Sequence, residues 1–271
     1  MTAHAAVDGG PERLFGFQPI HDGGRRVGGA MSTGAWLTGP GAVPRAGGLG
    51  VLVDNVLGNA ILAGHPGHWS VSTEIGIDVT GTIPADGSTV RARARSVDAD
   101  AAGAFATGDV IDASGNVIAR CRQRGRFVMP PSAPSAPSPP TPAATNGSAG
   151  VRRERGTAAL MSRIGAVTSL AGDGDDLELL STPALANPMG NLHGGVTLCV
   201  SEWTGARALG RAAAPLTTAS VHVAYLRPVP VGSRVRFTTH VVHAGRSLGV
   251  ARVTGRDDAG RACTVTTLVT H

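Results

Sequence analysis

The chain has 271 residues, which fits one large domain or two small ones, and its 42% hydrophobic content supplies an ordinary soluble core. No run approaches the ~18 apolar residues of a membrane span, and no basic start followed by an apolar stretch marks a secretory leader, so a cytoplasmic protein is expected. All 24 basic residues are Arg, which excludes lysine Schiff-base and Walker-type chemistry, and a net charge of +5 with 3% aromatic residues argues against a nucleic-acid binder.

In chain order, the first candidate element is a short strand over residues 30–38. The Gly-rich segment 47–64 (GGLGVLVDNVLGNAILAG) then reads as a helix, apolar on nearly all sides and therefore largely enclosed. Alternating tracts over 70–79, 88–97, 102–112 and 116–128 read as strands, the last two joined by a hairpin turn at Asp112–Asn116. Residues 129–150 carry seven prolines and no charge, and read as a semi-extended linker. Beyond it the order recurs: a short strand over 176–181, an apolar helix over 194–210, and strands over 217–226, 233–243, 248–257 and 262–271, with a turn at Asp257–Gly260. One helix followed by antiparallel strands, twice, is an α+β pattern, with residues 1–128 and 151–271 as the two domains. The physical picture is a sheet wrapped around one central helix, made twice and joined side by side. Arg91, Arg93 and Arg95, like Arg120, Arg122, Arg124 and Arg126, fall on the face away from the helix and read as solvated. Cys121, Cys199 and Cys263 lie far apart and read as packed thiols; no metal site and no cofactor are implied.

The segment from Asn187 to Glu202 (NPMGNLHGGVTLCVSE) resembles the hotdog-fold acyl-CoA thioesterases, nearest to the phenylacetate-pathway type. That pattern places an Asn six residues before a His-Gly-Gly turn and an acidic residue nine after the His; Asn187, His193, Gly194, Gly195 and Glu202 fit it, with Glu where the family usually has Asp. The resemblance implies two tandem hotdog domains and hydrolysis of an acyl-CoA thioester to free acid and coenzyme A. It also implies sites built across the pairing of two units, one giving the Asn and the His-Gly turn, the other the helix carboxylate and often a strand hydroxyl. The first half departs from the pattern. One register puts Asp54 at the acidic position and Arg45 at the His position. Matching the Gly pairs instead puts Asn55 and Ala46 there. The first register keeps a carboxylate. Either way the first half lacks the His, and Gly39 or Pro40 replaces the Asn. One composite site would then join Asn187, His193 and Gly194 to Asp54 and Ser70; the other would join Glu202 and Thr218 to the turn at 45–48. The first is expected to work, with Asp54 as its carboxylate; the competing version gives the chemistry to Glu202.

The chemistry requires charge stabilisation on the carbonyl oxygen and an activated nucleophile. A helix N-terminus offers unpaired N–H groups and positive potential, and a Gly pair lets the carbonyl come close, so the Gly194 N–H is the expected oxyanion donor. A facing carboxylate serves as general base or nucleophile. A rival reading is a non-catalytic acyl-CoA-binding hotdog protein. A hydratase is disfavoured because no Asp–His pair five apart stands near the helix, and a Ser-His-Asp hydrolase because there is no GxSxG elbow. Small residues at Gly58, Ala60, Gly205 and Ala206 would leave room for an acyl chain. The expected partner is the acyl-CoA substrate, with neither nucleic acid nor membrane, and further pairing into a homo-oligomer is left open by strand edges and sheet faces.

Overall fold

The computed structural model of the chain describes residues 10–65, 67–129, 159–165, 168, 170–172 and 176–271. Apart from Met129, the proline-rich segment lies outside the described residues. The first half contains helix α1 (Pro11–Phe15), strands β1 (Phe17–Asp22) and β2 (Arg25–Ser32), helix α2 (Gly50–Leu62) and strands β3 (Trp69–Val79), β4 (Thr89–Ala99), β5 (Gly103–Ile111) and β6 (Val117–Val128). The second half contains α3 (Ala159–Gly165), β7 (Leu170–Ala171), β8 (Leu177–Leu180), α4 (Gly194–Ala212), β9 (Thr218–Tyr225), β10 (Arg234–Ala244), β11 (Gly249–Asp257) and β12 (Ala262–Thr270).

These strands form one antiparallel sheet in the order β1-β2-β4-β5-β6-β3-β9-β12-β11-β10-β8-β7. Read from either end, the order describes the same unit. The two units meet at β3 and β9, where Ile75 faces Val223. The same offset along the chain relates Ile75 to Val223, Asp54 to Glu202, Gly47 to Gly195 and Arg45 to His193, so the sheet carries an approximate internal two-fold. This is a tandem hotdog fold: two wrapped sheets, each enclosing one helix, continuous through the central strand pair.

The helices are enclosed for the reason their composition gives. Leu52, Val53, Val56, Leu57 and Ile61 of α2 are buried against Ile75, Ile77, Val90, Ala106, Val110 and Ala119. On α4, Val196, Cys199, Val200 and Trp203 pack on Val235, Phe237, Val253 and Cys263. The two cores share residues, since Leu198, Ala206 and Leu209 of α4 join the first and Val51 of α2 joins the second. The three cysteines are buried and unpaired. At Gly205 a side chain would press on Val253 and Leu268 at 3.0 and 3.1 Å, and Ala206 is buried, so α4 leaves no acyl-sized gap there; Gly58 has only the Gln123 amide within 4 Å.

One expectation needs correction, and one strand was not anticipated. The first short strand runs Arg25–Ser32 and not 30–38, because Gly34 takes φ +150° and the chain turns into a short 3-10 helix at Ala35–Leu37. Strand β1, with Pro19 inside it, carries no sequence signal of a strand; it is tolerated as the outermost strand, where a missing N–H breaks no central ladder.

Helices α2 and α4 cross where both are glycine. A Cβ on Gly50 would stand 2.5 Å from the Gly195 carbonyl oxygen, and one on Gly195 would collide with Gly50 backbone. Neither obstacle is a side chain that can swing away. Gly50→Ala is therefore expected to push the helices apart and to destabilise the fold by about 1–3 kcal/mol, read as a lowered thermal unfolding midpoint. An unchanged midpoint would mean that the crossing is not rigid.

Candidate active site

At that crossing the first turn of α4 points at α2. His193, 5% exposed, caps α4, with its Nδ1 and the Asp54 Oδ2 both 3.0 Å from the Gly195 N–H. The imidazole Nδ1 lies 3.2 Å from the same Asp54 oxygen. The other Asp54 oxygen, Oδ1, accepts from the Ser72 hydroxyl at 2.9 Å and from the Gln123 amide at 3.3 Å, and Gln123 also donates to Ser72 Oγ at 2.7 Å. Asp54 thus sits in a closed triangle with a strand hydroxyl of β3 and an amide of β6, while its second oxygen faces the helix N-terminus of the other half. Its side chain keeps 12% exposure, so solvent still reaches it. The Gly194 N–H beside it is half-buried and meets no acceptor among the described residues, while the Gly194 carbonyl accepts from Tyr225 Oη at 2.7 Å.

The far side of the imidazole is also occupied. Glu12 Oε1 stands 3.7 Å from His193 Nε2 and accepts from Asn55 Nδ2 at 3.2 Å. Burial alone would push Glu12 up, but its bonds to His193 and Asn55 prevail and bring it down to about 2. For His193, burial favours the neutral ring; the charges of Asp54 and Glu12 outweigh it, and the ring is held above the ordinary imidazole value. Desolvation and the neighbouring Asp54 charge hold the half-buried Tyr225 well above the usual phenol range, and its hydroxyl is a donor here.

The two-fold-related place is built differently. Glu202 is 0% exposed, accepts from the N–H groups of Ala46 at 3.1 Å and Gly47 at 2.5 Å, and takes a short hydrogen bond from Thr218. Arg45, in the position of His193, is buried beside it and donates to the carbonyls of Leu216 at 3.1 Å and Pro40 at 2.8 Å. Burial pushes Glu202 up, with Arg45, Thr218 and the two N–H groups pulling it back. Here the helix-start N–H groups are already consumed by the chain's own carboxylate. The register that pairs Asp54 with Glu202, and Arg45 with His193, is the one the fold adopts.

The sequence-derived residues divide accordingly. Asp54, His193, Gly194 and Gly195 come together. Glu202 and Thr218 bond to each other and are both buried, at 0% and 3% exposure. Asn187 uses its side-chain oxygen on the N–H groups of Met189 and Asn191, at 3.0 and 3.2 Å, so it closes its own turn and makes no bond to Asp54 or His193 among the described residues. Ser70 does not meet Asp54: Ser72, two residues further along β3, delivers the hydroxyl, leaving the Ser70 Oγ buried without a partner among the described residues. Glu12, Ser72 and Gln123 were not singled out from sequence, and Asn55 entered only as the acidic-position residue of the alternative register. Gln123 had a signal: it is the polar residue on the inward face of β6, between Cys121 and Gly125, and is 1% exposed. A cleft of about 410 Å3 opens at Thr73, Asp98, Phe105, Arg124 and Arg126; none of the Asp54 cluster lines it.

Comparison with known proteins gives thioesterase matches in both halves. The description "Thioesterase superfamily" matches residues 189–264, and "Acyl-CoA thioesterase C-terminal domain" matches residues 11–127, the half that carries Asp54. Among solved structures, the tesB protein of Mycobacterium avium subspecies paratuberculosis superposes with a TM-score of 0.63 at 9% identity, over 95% of this chain and 96% of that one. A candidate thioesterase II from Thermobifida fusca gives 0.62 at 12% identity, over 95% and 98%. The 12:0-ACP thioesterase of Umbellularia californica gives 0.58 at 11% identity, over 89% and 92%. No curated protein sequence matches the chain. The chain belongs to the hotdog-fold thioesterase superfamily and is a thioester hydrolase. No helix among the described residues is long and apolar enough to cross a membrane.

Glu202 answers three donors and the Arg45 guanidinium. Glu202→Gln removes the charge and turns one acceptor into a donor facing another donor. We expect this single change to cost about 3–5 kcal/mol of stability, measured by chemical unfolding. A wild-type unfolding midpoint would show that the pair carries no net stability.

Proposed function

We propose that the chain is an acyl-CoA thioesterase with one composite active site, Asp54, Ser72 and Gln123 coming from the first half and His193 and Gly194 from the second. The observation that carries this reading is the asymmetry of the two related places. At one, a partly accessible carboxylate lies beside a helix start whose Gly194 N–H has no acceptor among the described residues; at the other, the equivalent N–H groups are closed by Glu202. In keeping with it, the two halves are read as units 1–128 and 151–271, joined by 129–150.

The steps follow from the groups. The thioester carbonyl oxygen lies at the Gly194 N–H, where the start of α4 contributes positive potential. A water at the Asp54–Ser72–Gln123 triangle attacks the carbonyl carbon as Asp54 takes its proton. The negative charge gathers on the carbonyl oxygen against Gly194 and the His193 side of the turn. Collapse breaks the carbon–sulfur bond, the departing thiolate receives the proton held by Asp54, and the acid and coenzyme A leave. Ser72 and Gln123 fix the carboxylate in one rotamer before substrate arrives.

The test is thiol release from a panel of short, medium, long-chain and aromatic acyl-CoA substrates. Asp54→Asn is expected to lower kcat about 10²–10⁴-fold, whereas Glu202→Gln, corrected for the folded fraction, keeps kcat within about threefold. Full activity in Asp54→Asn would remove Asp54 from the reaction. Tight binding without turnover across the panel would favour an acyl-CoA-binding role.

A further inference from the structure

We propose that Glu12 is a positioning residue of this site: from helix α1 it grips the Nε2 side of His193 while Asp54 holds the Nδ1 side, and the two carboxylates together keep the ring an imidazolium. The proposal rests on the reading of the Asp54 cluster as the active site.

The geometry carries it. An imidazole enclosed as His193 is would ordinarily be neutral, because burial penalises its charged form. Here every element packed around the ring presents a group that bears on its charge. Helix α2 gives Asp54 at 3.2 Å and, at 3.3 Å from Nε2, the Asn55 amide nitrogen, a neutral donor that spends its hydrogens on Glu12 and the Val51 carbonyl and so makes no bond to a protonated Nε2. Helix α1 gives Glu12 at 3.7 Å. The α4 backbone gives the Gly195 N–H, and β9 gives the neutral Tyr225 hydroxyl one residue away, on the Gly194 carbonyl. Arg26 of β2 reaches Asn55 at 3.4 Å and bears on Glu12 from outside. Two anions therefore flank the ring, with one guanidinium behind the outer one.

Glu12 is itself held in place. Phe15 of α1 is buried and packs edge-on to Trp36 at 6.0 Å, and Arg163 donates to the Leu14 carbonyl at 3.2 Å. Asn55 bonds Glu12 with its amide and accepts from Arg26 with its oxygen, so the carboxylate cannot turn away without breaking a chain of bonds.

Two consequences follow for the site. An imidazolium has a proton on each nitrogen, so Nδ1 donates to Asp54 and cannot accept from Gly195; the Gly195 N–H then belongs wholly to Asp54. The same positive charge stands one residue before Gly194, adjacent to where the oxyanion forms. Without Glu12 the ring would lose its proton at lower pH, Nδ1 would compete with Asp54 for the Gly195 N–H, and that charge would vanish. The sign is that of a raised imidazole: the contribution is present below the folded-state value and is lost as pH rises through it.

The experiment uses the full chain, with Glu12→Gln and Glu12→Asp variants and a His193→Gln variant to assign the ring signal. The His193 ring is titrated by NMR, kcat/KM is measured across pH with an acyl-CoA turned over by the wild type, and the thermal midpoint is recorded at about pH 6. In Glu12→Gln the proton affinity of the His193 ring is expected to fall about tenfold, which is about one pKa step, with Glu12→Asp in between. kcat/KM should fall about tenfold at about pH 8 and stay within about twofold at about pH 6, with a lowered midpoint at about pH 6 from the lost Glu12 contacts. An unmoved ring titration in Glu12→Gln overturns the proposal. So does an equal loss of activity at both pH values, which marks α1 as a structural strap only. A chain that turns over no acyl-CoA defeats the functional reading separately, because the ring titration is read without substrate.

Discussion

The structure turns on the approach of one helix start to the flank of another. With glycine at both Gly50 and Gly195, backbone meets backbone, and the first turn of α4 comes within hydrogen-bonding distance of Asp54. A side chain at either glycine would separate the halves by about the width of a methyl group, more than a 3.0 Å hydrogen bond tolerates. The crossing is therefore both a packing feature and the condition for a site that draws on both halves. The central β3–β9 pair fixes the lateral position of the halves, and the glycine crossing fixes how closely their helices approach.

The same constraint acts twice, because the fold is nearly two-fold, and the two outcomes diverge by one methylene and one basic side chain. Asp54 is short and reaches one N–H, Gly195. Glu202 is longer and reaches two, Ala46 and Gly47, so no helix-start donor remains at that place. Arg45 completes the change. A buried carboxylate needs a full set of partners, and a guanidinium fixed by two carbonyls answers it more permanently than an imidazole that can lose its proton. One scaffold thus yields a carboxylate that keeps some solvent access on one side and a fully buried carboxylate beside a buried Arg on the other. A sealed pair of this kind binds the lobes together, and in the proposed scheme leaves chemistry to Asp54.

Much of the fold was legible in the sequence because its signals are local. Enclosed apolar helices, strands of period two and Asp-led hairpin turns at Asp112 and Asp257 are set by residues within a few positions of each other. The missing pieces lack such signals. Strand β1 contains a proline and depends on β2 for its existence, and β7 is two residues long. At the site, Asp54, His193 and the Gly pair were recoverable from the spacing of one half and the acidic position of the other. Ser72 was not, because Ser70 and Ser72 lie two residues apart on one face of β3 and alternation alone does not choose between them. Asn187 fitted a spacing but spends its oxygen on its own turn, a role that Asn fills in many loops.

Glu12 shows the harder limit. Nothing in GPERLF marks the Glu as different from a solvated first-turn acid, and its partners His193, Asn55 and Arg26 lie on three other elements of both halves. What sets it apart is a property of the assembled site. An imidazole enclosed between Asp54 and a second carboxylate is stabilised as a cation, and a cation at that point lies on the N-terminal side of the Gly194 N–H, in line with the partial positive charge of the α4 terminus. Charge at the helix start is then the sum of two sources, one from aligned peptides and one from a side chain. Only the second can be changed by substituting a residue on another element. The positive end that faces the substrate is therefore set partly by α1, a five-residue helix that bears no part of the reacting triangle.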